Sequence, residues 1–480
     1  MDKFPLFIHN ASGTNDYYQV KSPYNGEPLA LVERAGADDI EQALANAGRF
    51  FSSVMLKMPA WKRAEILRNV ASMMENDLED LSLLIAREGG KPLKDARVEA
   101  KRAVNTTRLC ADEILTLSGE QIRMDRASGS ENNLAVTVYQ PLGPVLAISA
   151  FNHPLNLICH QVCTAFAAGN TVIIKPASQT PLSALRIAAY FRKAGLEDGV
   201  INVVVTRGNK MERLVSDPRI RFLSFIGSEE VGWDLRRKVS EGVRVALEHG
   251  GTGSAIMLDS CTPENAISSI VRGAFYHSGQ VCVSTQNLYI HTSIYDRTIE
   301  LLKNGIKNLK TGDPCNPETD LGPLITPEDV LRVDQLIKDA VAAGARLICG
   351  GTPLDNNCYA PTLLADTGID MAVMSKEVFG PVLSVLAFSD LDQVINEINS
   401  SRYSFQTAVY GNEIDSALYC AREIDARAVI VNNSTAFRVD WMPFGGARAS
   451  GLGTGGVRDS IIDMSNKKLI VLSTNTSLNL

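Results

Sequence analysis

Three observations on this 480-residue sequence predict an α/β fold with two doubly wound parallel-sheet domains and a β arm. Short, near-continuously apolar runs alternate with helical stretches in two successive rounds, as strands buried on both faces of a parallel sheet do. The pair Gly250-Gly251 separates the rounds. Two further strand-like segments, 133–139 and 467–473, stand outside both rounds and form the expected arm.

In chain order, residues 1–35 read as short strands and turns, with the cluster Ser22-Pro23-Tyr24-Asn25-Gly26-Glu27 as the turn signal. Apolar spacings of three and four predict helices over 38–57, 59–87 and 93–117, and Gly89-Gly90-Lys91-Pro92 parts the last two. The first round places strands at 145–149, 171–175, 201–205, 221–225 and 243–247, with helices at 154–168, 181–194, 208–216 and 229–240. Right-handed crossovers then cover both faces, and a nucleotide site belongs at the strand C-termini. The second round places strands at 254–259, 286–291, 346–349, 382–388, 407–410 and 428–432, with helices near 263–275, 293–308, 326–343, 390–400 and 413–424. There is no internal repeat and no low-complexity segment.

Composition narrows the function classes. A net charge of -7 and a pI near 5.6 argue against general affinity for nucleic acid or an anionic membrane. Nine scattered cysteines without a CxxC pair suggest neither a disulfide framework nor a metal site, and a reducing cytoplasm fits them best. Cys159, His160 and Cys163 have helix spacing but sit in an apolar run, which reads as core. The N-terminus lacks a signal-peptide pattern, and no apolar run has the length of a membrane span.

The candidate chemistry centres on Cys282, in Gly279-Gln280-Val281-Cys282-Val283-Ser284, where a glycine and small neighbours present a thiol ahead of a strand. A buried core cysteine is the alternative. Glu248, at a strand end before Gly250-Gly251, suits a general base with a burial-raised pKa, or a plain solvated strand terminus. Asn152, after strand 145–149, offers a neutral amide to a developing oxyanion, or a helix N-cap. Lys175 and Ser178 end one strand with a cation and a hydroxyl suited to ribose or phosphate. Gly227-Ser228 ends another, ahead of a helix whose N-terminus can face a diphosphate.

In order, an Asn before a Pro-initiated helix, Lys-Pro-Ala-Ser, Phe-x-Gly-Ser, Glu-x-Gly-Gly, Gly-Gln-x-Cys, Glu377-Val378-Phe379-Gly380-Pro381 and Pro443-Phe444-Gly445-Gly446 span nearly the whole chain. Together they resemble the aldehyde dehydrogenase superfamily of NAD(P)-dependent enzymes. The resemblance implies that Cys282 attacks an aldehyde, Asn152 and the Cys282 amide hold the oxyanion, and Glu248 activates water to release the acid. It further implies that Glu377 holds the nicotinamide ribose, Phe379 packs beside the nicotinamide, Lys175 binds the adenosine ribose and Ser228 meets the diphosphate, with Phe151 and Gly227 also at the cofactor. A neutral Ser178, where NAD-preferring relatives often carry Glu, implies that the cofactor is NADP or NAD, with NADP accepted.

The implied organisation is a Rossmann-like cofactor domain at 1–120 and 141–249 with a return at 443–462, a catalytic domain at 250–442, and an oligomerisation arm at 121–140 and 463–480. The arm implies a homodimer or homotetramer. His153 and Arg438 are candidate substrate contacts, with Arg438 otherwise in an ion pair with Asp440 or Glu377. His249 departs from the family pattern; as a cation it would lower the Glu248 pKa and weaken the base. Arg207 and Lys210 are further candidates for the cofactor phosphate, or merely solvated. Transfer of the acyl group to coenzyme A, or a homologue that has lost activity, are the competing functions.

Overall fold

The structure, a computed structural model, describes residues 1–206 and 208–475; the expected cofactor contact Arg207 and the end of the arm, 476–480, lie outside the described residues. The first large sheet runs, in spatial order, Gly451–Leu452, Arg244–Glu248, Phe222–Ile226, Val145–Ile148, Val172–Lys175 and Ile201–Val203. All its pairings are parallel except that of Gly451–Leu452 with Leu247 and Glu248. The chain starts at Val145–Ile148, moves outward twice, then crosses to the other side of that first strand. This reversal opens a crevice beyond Ile148 and Ile226, where a doubly wound sheet binds ligands.

Alternation decides which side chain enters which layer. Val145 and Ala147 join one core cluster while Leu146 and Ile148 join another, so both sheet faces are buried. The same split recurs in the second sheet, with Ala255 and Met257 on one face and Ile256 on the other. That sheet runs Arg346–Cys349, Thr362–Ala365, Val382–Phe388, Thr285–His291, Gly253–Met257, Gln406–Tyr410 and Ala428–Val431, with only Arg346–Cys349 antiparallel.

A third, antiparallel sheet pairs Ser465–Ser473 with Asn133–Pro141 in register along both strands, and Gln121–Ile122 closes its other side. Its outer strand is exposed from Asn466 onward.

Several expectations shift in detail. The helix expected over 59–87 is two, Ala60–Asn76 and Leu78–Gly89, broken at Asp77. The helix expected from Pro154 begins at Asn156 and ends at Ala167, buried throughout. Strand Thr362–Ala365 and helix Val457–Asp463 carry too few residues for a periodicity to register in the sequence.

Candidate active site

Glu248 ends the last long strand of the first sheet, and Gly253 opens the second sheet only a few residues later. The C-terminal edge of one sheet thereby faces the N-terminal edge of the other. A cavity of about 710 Å³ fills this junction, lined by Asn152, Lys175, Glu248, Cys282, Glu377 and Arg438 among others.

Helix Pro263–Phe275 delivers the chain to the turn Tyr276–Gly279, in which His277, Ser278 and Gly279 have φ of 49°, 56° and 72°. Left-handed backbone costs a non-glycine residue about 1–2 kcal/mol, so the turn holds only because its surroundings fix it. Ser278 Oγ donates to the Gly322 carbonyl at 2.8 Å, Gln280 Nε2 to the Pro323 carbonyl at 3.2 Å, and the Ile325 amide to Gln280 Oε1 at 3.0 Å. A Cβ on Gly279 would run into the Gly380 carbonyl. Cys282 is thus presented to the cavity just ahead of strand Thr285–His291.

Asn152 is 5% exposed and is no helix cap, since the helix starts four residues on; its Nδ2 donates to the Gln280 carbonyl at 2.9 Å. The helix N-terminus is held instead by Glu99, whose Oε1 accepts from the Leu155 and Asn156 amides at 3.0 and 3.1 Å. Asn152 therefore has an amide hydrogen left beside the Cys282 loop.

Burial pushes the Cys282 thiol up to about 12, and the Glu248 and Glu377 charges add to this against the pull of Arg438. Burial likewise raises Glu248, opposed only by Arg438. The Glu248 carboxylate makes no protein hydrogen bond or ion pair among the described residues.

His249 is no cation beside this base. Burial lowers its pKa, and its Nδ1 donates to the Ala449 carbonyl at 2.9 Å while its ring packs edge-on against Trp233 and Phe225. Gly232 makes this possible, because a Cβ there would occupy the position of His249 Nε2.

The residues expected at a dinucleotide share the cavity: Phe151, Lys175, Ser178, Gly227, Ser228, Glu377 and Phe379 all line it. Three features fit such a ligand. The Lys175 ammonium, its pKa lowered by burial, has no partner among the described residues. Ser228 is the N-cap of helix Glu229–Lys238 and leaves that helix end without a side-chain cap. Glu377 Oε1 is buried and unpartnered among the described residues, and burial pushes this carboxyl up to about 7. Phe151 and Phe379 meet edge to face at 5.9 Å as an apolar wall. Lys210 stands exposed in the turn Gly208–Lys210, and Ser178 is exposed at the end of its strand.

At the other end of the cavity, the expected ion pair of Arg438 with Asp440 or Glu377 does not form. Asp440 instead accepts from Arg102 at 2.7 and 3.2 Å, from His160 at 3.0 Å and from Asn156 Nδ2 at 3.3 Å. Arg438 lies over the Phe444 ring, 3.6 Å from its centroid, without a hydrogen bond or ion pair among the described residues. His153 stacks on Tyr276, and burial with the Lys91 and Arg102 charges keeps it neutral. Arg102 and the polar role of His160 escape sequence reasoning, since Arg102 is one of nine charged residues on helix Leu93–Thr116 and nothing in the sequence sets it apart.

Two open sheets meeting at a cysteine and a dinucleotide-sized cleft define a nucleotide-dependent oxidoreductase site. The aldehyde dehydrogenase family model matches residues 8–470, and the chain belongs to that family. It is 36% identical over 462 residues to the 3-sulfolactaldehyde dehydrogenase of Priestia aryabhattai, covering 96% of each chain. Aldehyde dehydrogenase 21 of Physcomitrella patens, solved with the reaction product succinate, is 31% identical with a TM-score of 0.95 over 99% of both chains. The NADP-dependent glyceraldehyde-3-phosphate dehydrogenase of Bacillus halodurans, complexed with NADP, is 31% identical with a TM-score of 0.92 over 96% of both. The protein is an NAD(P)-dependent aldehyde dehydrogenase.

Proposed function

We propose that this enzyme oxidises a small aldehyde carrying an anionic group, and that it releases the acid by hydrolysis. The observation that carries the anionic part is Arg438, an unpaired guanidinium on the cavity wall whose charge acts on both Cys282 and Glu248. A half-buried guanidinium without a counter-charge is costly and favours an anionic ligand. The names of the relatives, a sulfolactaldehyde dehydrogenase and an enzyme solved with succinate, support the same reading.

In this reading Cys282 Sγ attacks the carbonyl carbon and gives a thiohemiacetal. The Asn152 amide and the Cys282 backbone N–H stabilise the oxyanion, which is where fixed donors lower the barrier most. NAD(P) would supply the hydride acceptor here, and loss of hydride from the thiohemiacetal carbon would leave a thioester on Cys282. Lys175, Ser228, Glu377 and the wall of Phe151 and Phe379 would hold the cofactor, and the neutral Ser178 would admit a 2'-phosphate. Glu248 takes a proton from water as the water attacks the thioester, the C–S bond breaks, and the acid departs. His153 shapes the neutral part of the substrate pocket.

The presence of Glu248 favours water over coenzyme A as acyl acceptor. The remaining organisation is proposed from the same pattern: a cofactor domain at 1–120, 141–249 and 443–462, a catalytic domain at 250–442, and an arm at 121–140 and from 463 on that joins a homo-oligomer. Nine free cysteines support a reducing cytoplasm.

The test is nicotinamide reduction with carboxylated, sulfonated and neutral aldehydes of one chain length, with NAD or NADP, with and without coenzyme A. Arg438→Met is expected to lower kcat/KM for the anionic aldehydes by about tenfold or more, the worth of one charged hydrogen bond, beyond the loss seen with the neutral one, which reports only the effect of the charge on Cys282 and Glu248. An equal loss for both kinds would sink the anionic reading.

A further inference from the structure

Behind Glu248, away from the main cavity, lies a second and much smaller one of about 20 Å³, lined by Gln161, Ser224, Glu248, Thr454, Ser460 and Asp463 among others. Its size suits a single water, and its wall mixes polar groups with apolar ones such as Phe222, Leu452 and Met464. One wall group asks for such a water. Gln161 is 2% exposed, and its Nε2 is spent on the Ile148 carbonyl at 3.1 Å and on the Ser224 carbonyl and hydroxyl at 3.1 and 3.0 Å. Its Oε1, equally buried, has no partner among the described residues.

The two carboxylates at this cavity both lie against one tripeptide, Gly453-Thr454-Gly455, in which Gly455 leaves the room that Glu248 fills. A Cβ on Gly455 would lie 2.5 Å from Glu248 Oε1, and one on Gly453 would lie 3.8 Å from Asp463 Oδ2. Both carboxylates therefore approach the same stretch of backbone. Asp463 ends helix Val457–Asp463 and is half-buried, so it links the closed cavity to the surface.

Each turnover releases two protons, both from the hydrolytic water: one through Glu248 as the water attacks, the other as the product acid ionises, while the thiolate freed by C–S cleavage regains the proton it gave up. The main cavity offers Glu248 no protein hydrogen-bond partner among the described residues to pass its proton to.

We propose that Asp463, through a water held by Gln161 in the cavity behind Glu248, is the exit by which Glu248 returns its proton to solvent. The inference rests on Glu248 being the general base. As water adds to the thioester, one of its protons moves to Glu248. The C–S bond then breaks with the electron pair going to sulfur, and the proton on Glu248 passes to the cavity water. That water gives up one of its own protons to Asp463, which releases it to bulk. No oxidant or reductant enters.

The charged groups facing the path are few. Arg438 and Cys282 face Glu248 from the main cavity, and His160 borders the small one. Asp459 lies on the helix of Asp463, and Arg244 acts on it from the neighbouring strand, its Nη1 donating to the Asp463 carbonyl at 3.3 Å. Burial and Asp459 raise the Asp463 pKa while Arg244 opposes them, which brings the group toward the range where it both takes and gives a proton. Arg427 clamps the outer side of the tripeptide through Thr454 Oγ1 at 2.5 Å.

The test is acyl-enzyme decay by rapid quench, beside the reduction burst, for Asp463→Asn, Gly455→Ala and Glu248→Gln. Asp463→Asn is expected to leave the burst intact, slow decay by about tenfold, enlarge the solvent deuterium effect and respond to added formate as a substitute proton carrier. Gly455→Ala, whose Cβ would crowd Glu248 Oε1 at the mouth of the passage, is expected to slow decay as well. Unchanged decay in Asp463→Asn, or a burst that falls in parallel with thermal stability in both variants, overturns the relay. If Glu248→Gln decays at the parental rate, the base assignment itself fails; if it stalls while Asp463→Asn is normal, only the relay does.

Discussion

Cys282 shows how far a residue's neighbours can reverse what its motif suggests. The small residues around it point to an activated thiol, yet burial and two carboxylates push the group up to about 12. A thiol with a pKa above the ambient pH is mostly protonated, and its thiolate fraction rises tenfold for each unit of pH until the pKa is reached. Alkylation of Cys282 by iodoacetamide in the cofactor-free enzyme is therefore expected to be slow near neutrality and to climb about tenfold per unit between roughly pH 7 and 9, without a plateau. Mass-spectrometric rates at this one cysteine check it, and a plateau near neutrality would contradict the burial argument. Arg438→Met should slow the reaction further, since that charge favours the thiolate. His249 teaches the same lesson in reverse: next to Glu248 in sequence, its ring points into an aromatic cluster and carries no charge to disturb that carboxyl.

At the scale of elements, the position of Asn152 depends on a buried ion pair that no motif announces. Lys91 and Glu99 are both fully buried and bonded to each other, and Glu99 also receives two amides of the helix N-terminus that follows Asn152. Glu99→Gln leaves the Lys91 ammonium buried without its counter-charge, and removing one partner of such a pair costs about 3–5 kcal/mol. Urea unfolding is the measurement; a midpoint equal to the parent's would mean that the pair is not held as described. The break at Asp77 and the strand Thr362–Ala365 were illegible for a different reason. Helix periodicity runs on unchanged across a single non-helical residue. A four-residue strand offers no period at all.

For the whole molecule, the open edges matter most. The outer strand of the small sheet exposes Leu469, Ile470, Val471 and Leu472 in succession, at 38% to 54%. Consecutive exposed apolar residues on a free strand edge are a template for pairing with another chain. Ala428–Val431 is likewise the last strand of the second sheet. A double substitution, Leu469→Lys with Leu472→Lys, is expected to shift the sedimenting species to the monomer while leaving the fold intact by circular dichroism. A parental oligomer in the double variant would place the interface elsewhere. What the sequence by itself determined is the class of fold and the family, because strand and helix periods and short glycine-bounded motifs are local properties. Only the tertiary structure decided that the site lies where the C-terminal edge of one sheet meets the N-terminal edge of the next. It alone decided that Asp440 is taken by Arg102 and His160 while Arg438 stays free. The physical reason is that pairing, burial and pKa depend on which distant segments share a space, and residues 102, 160, 438 and 440 meet only once the chain has folded.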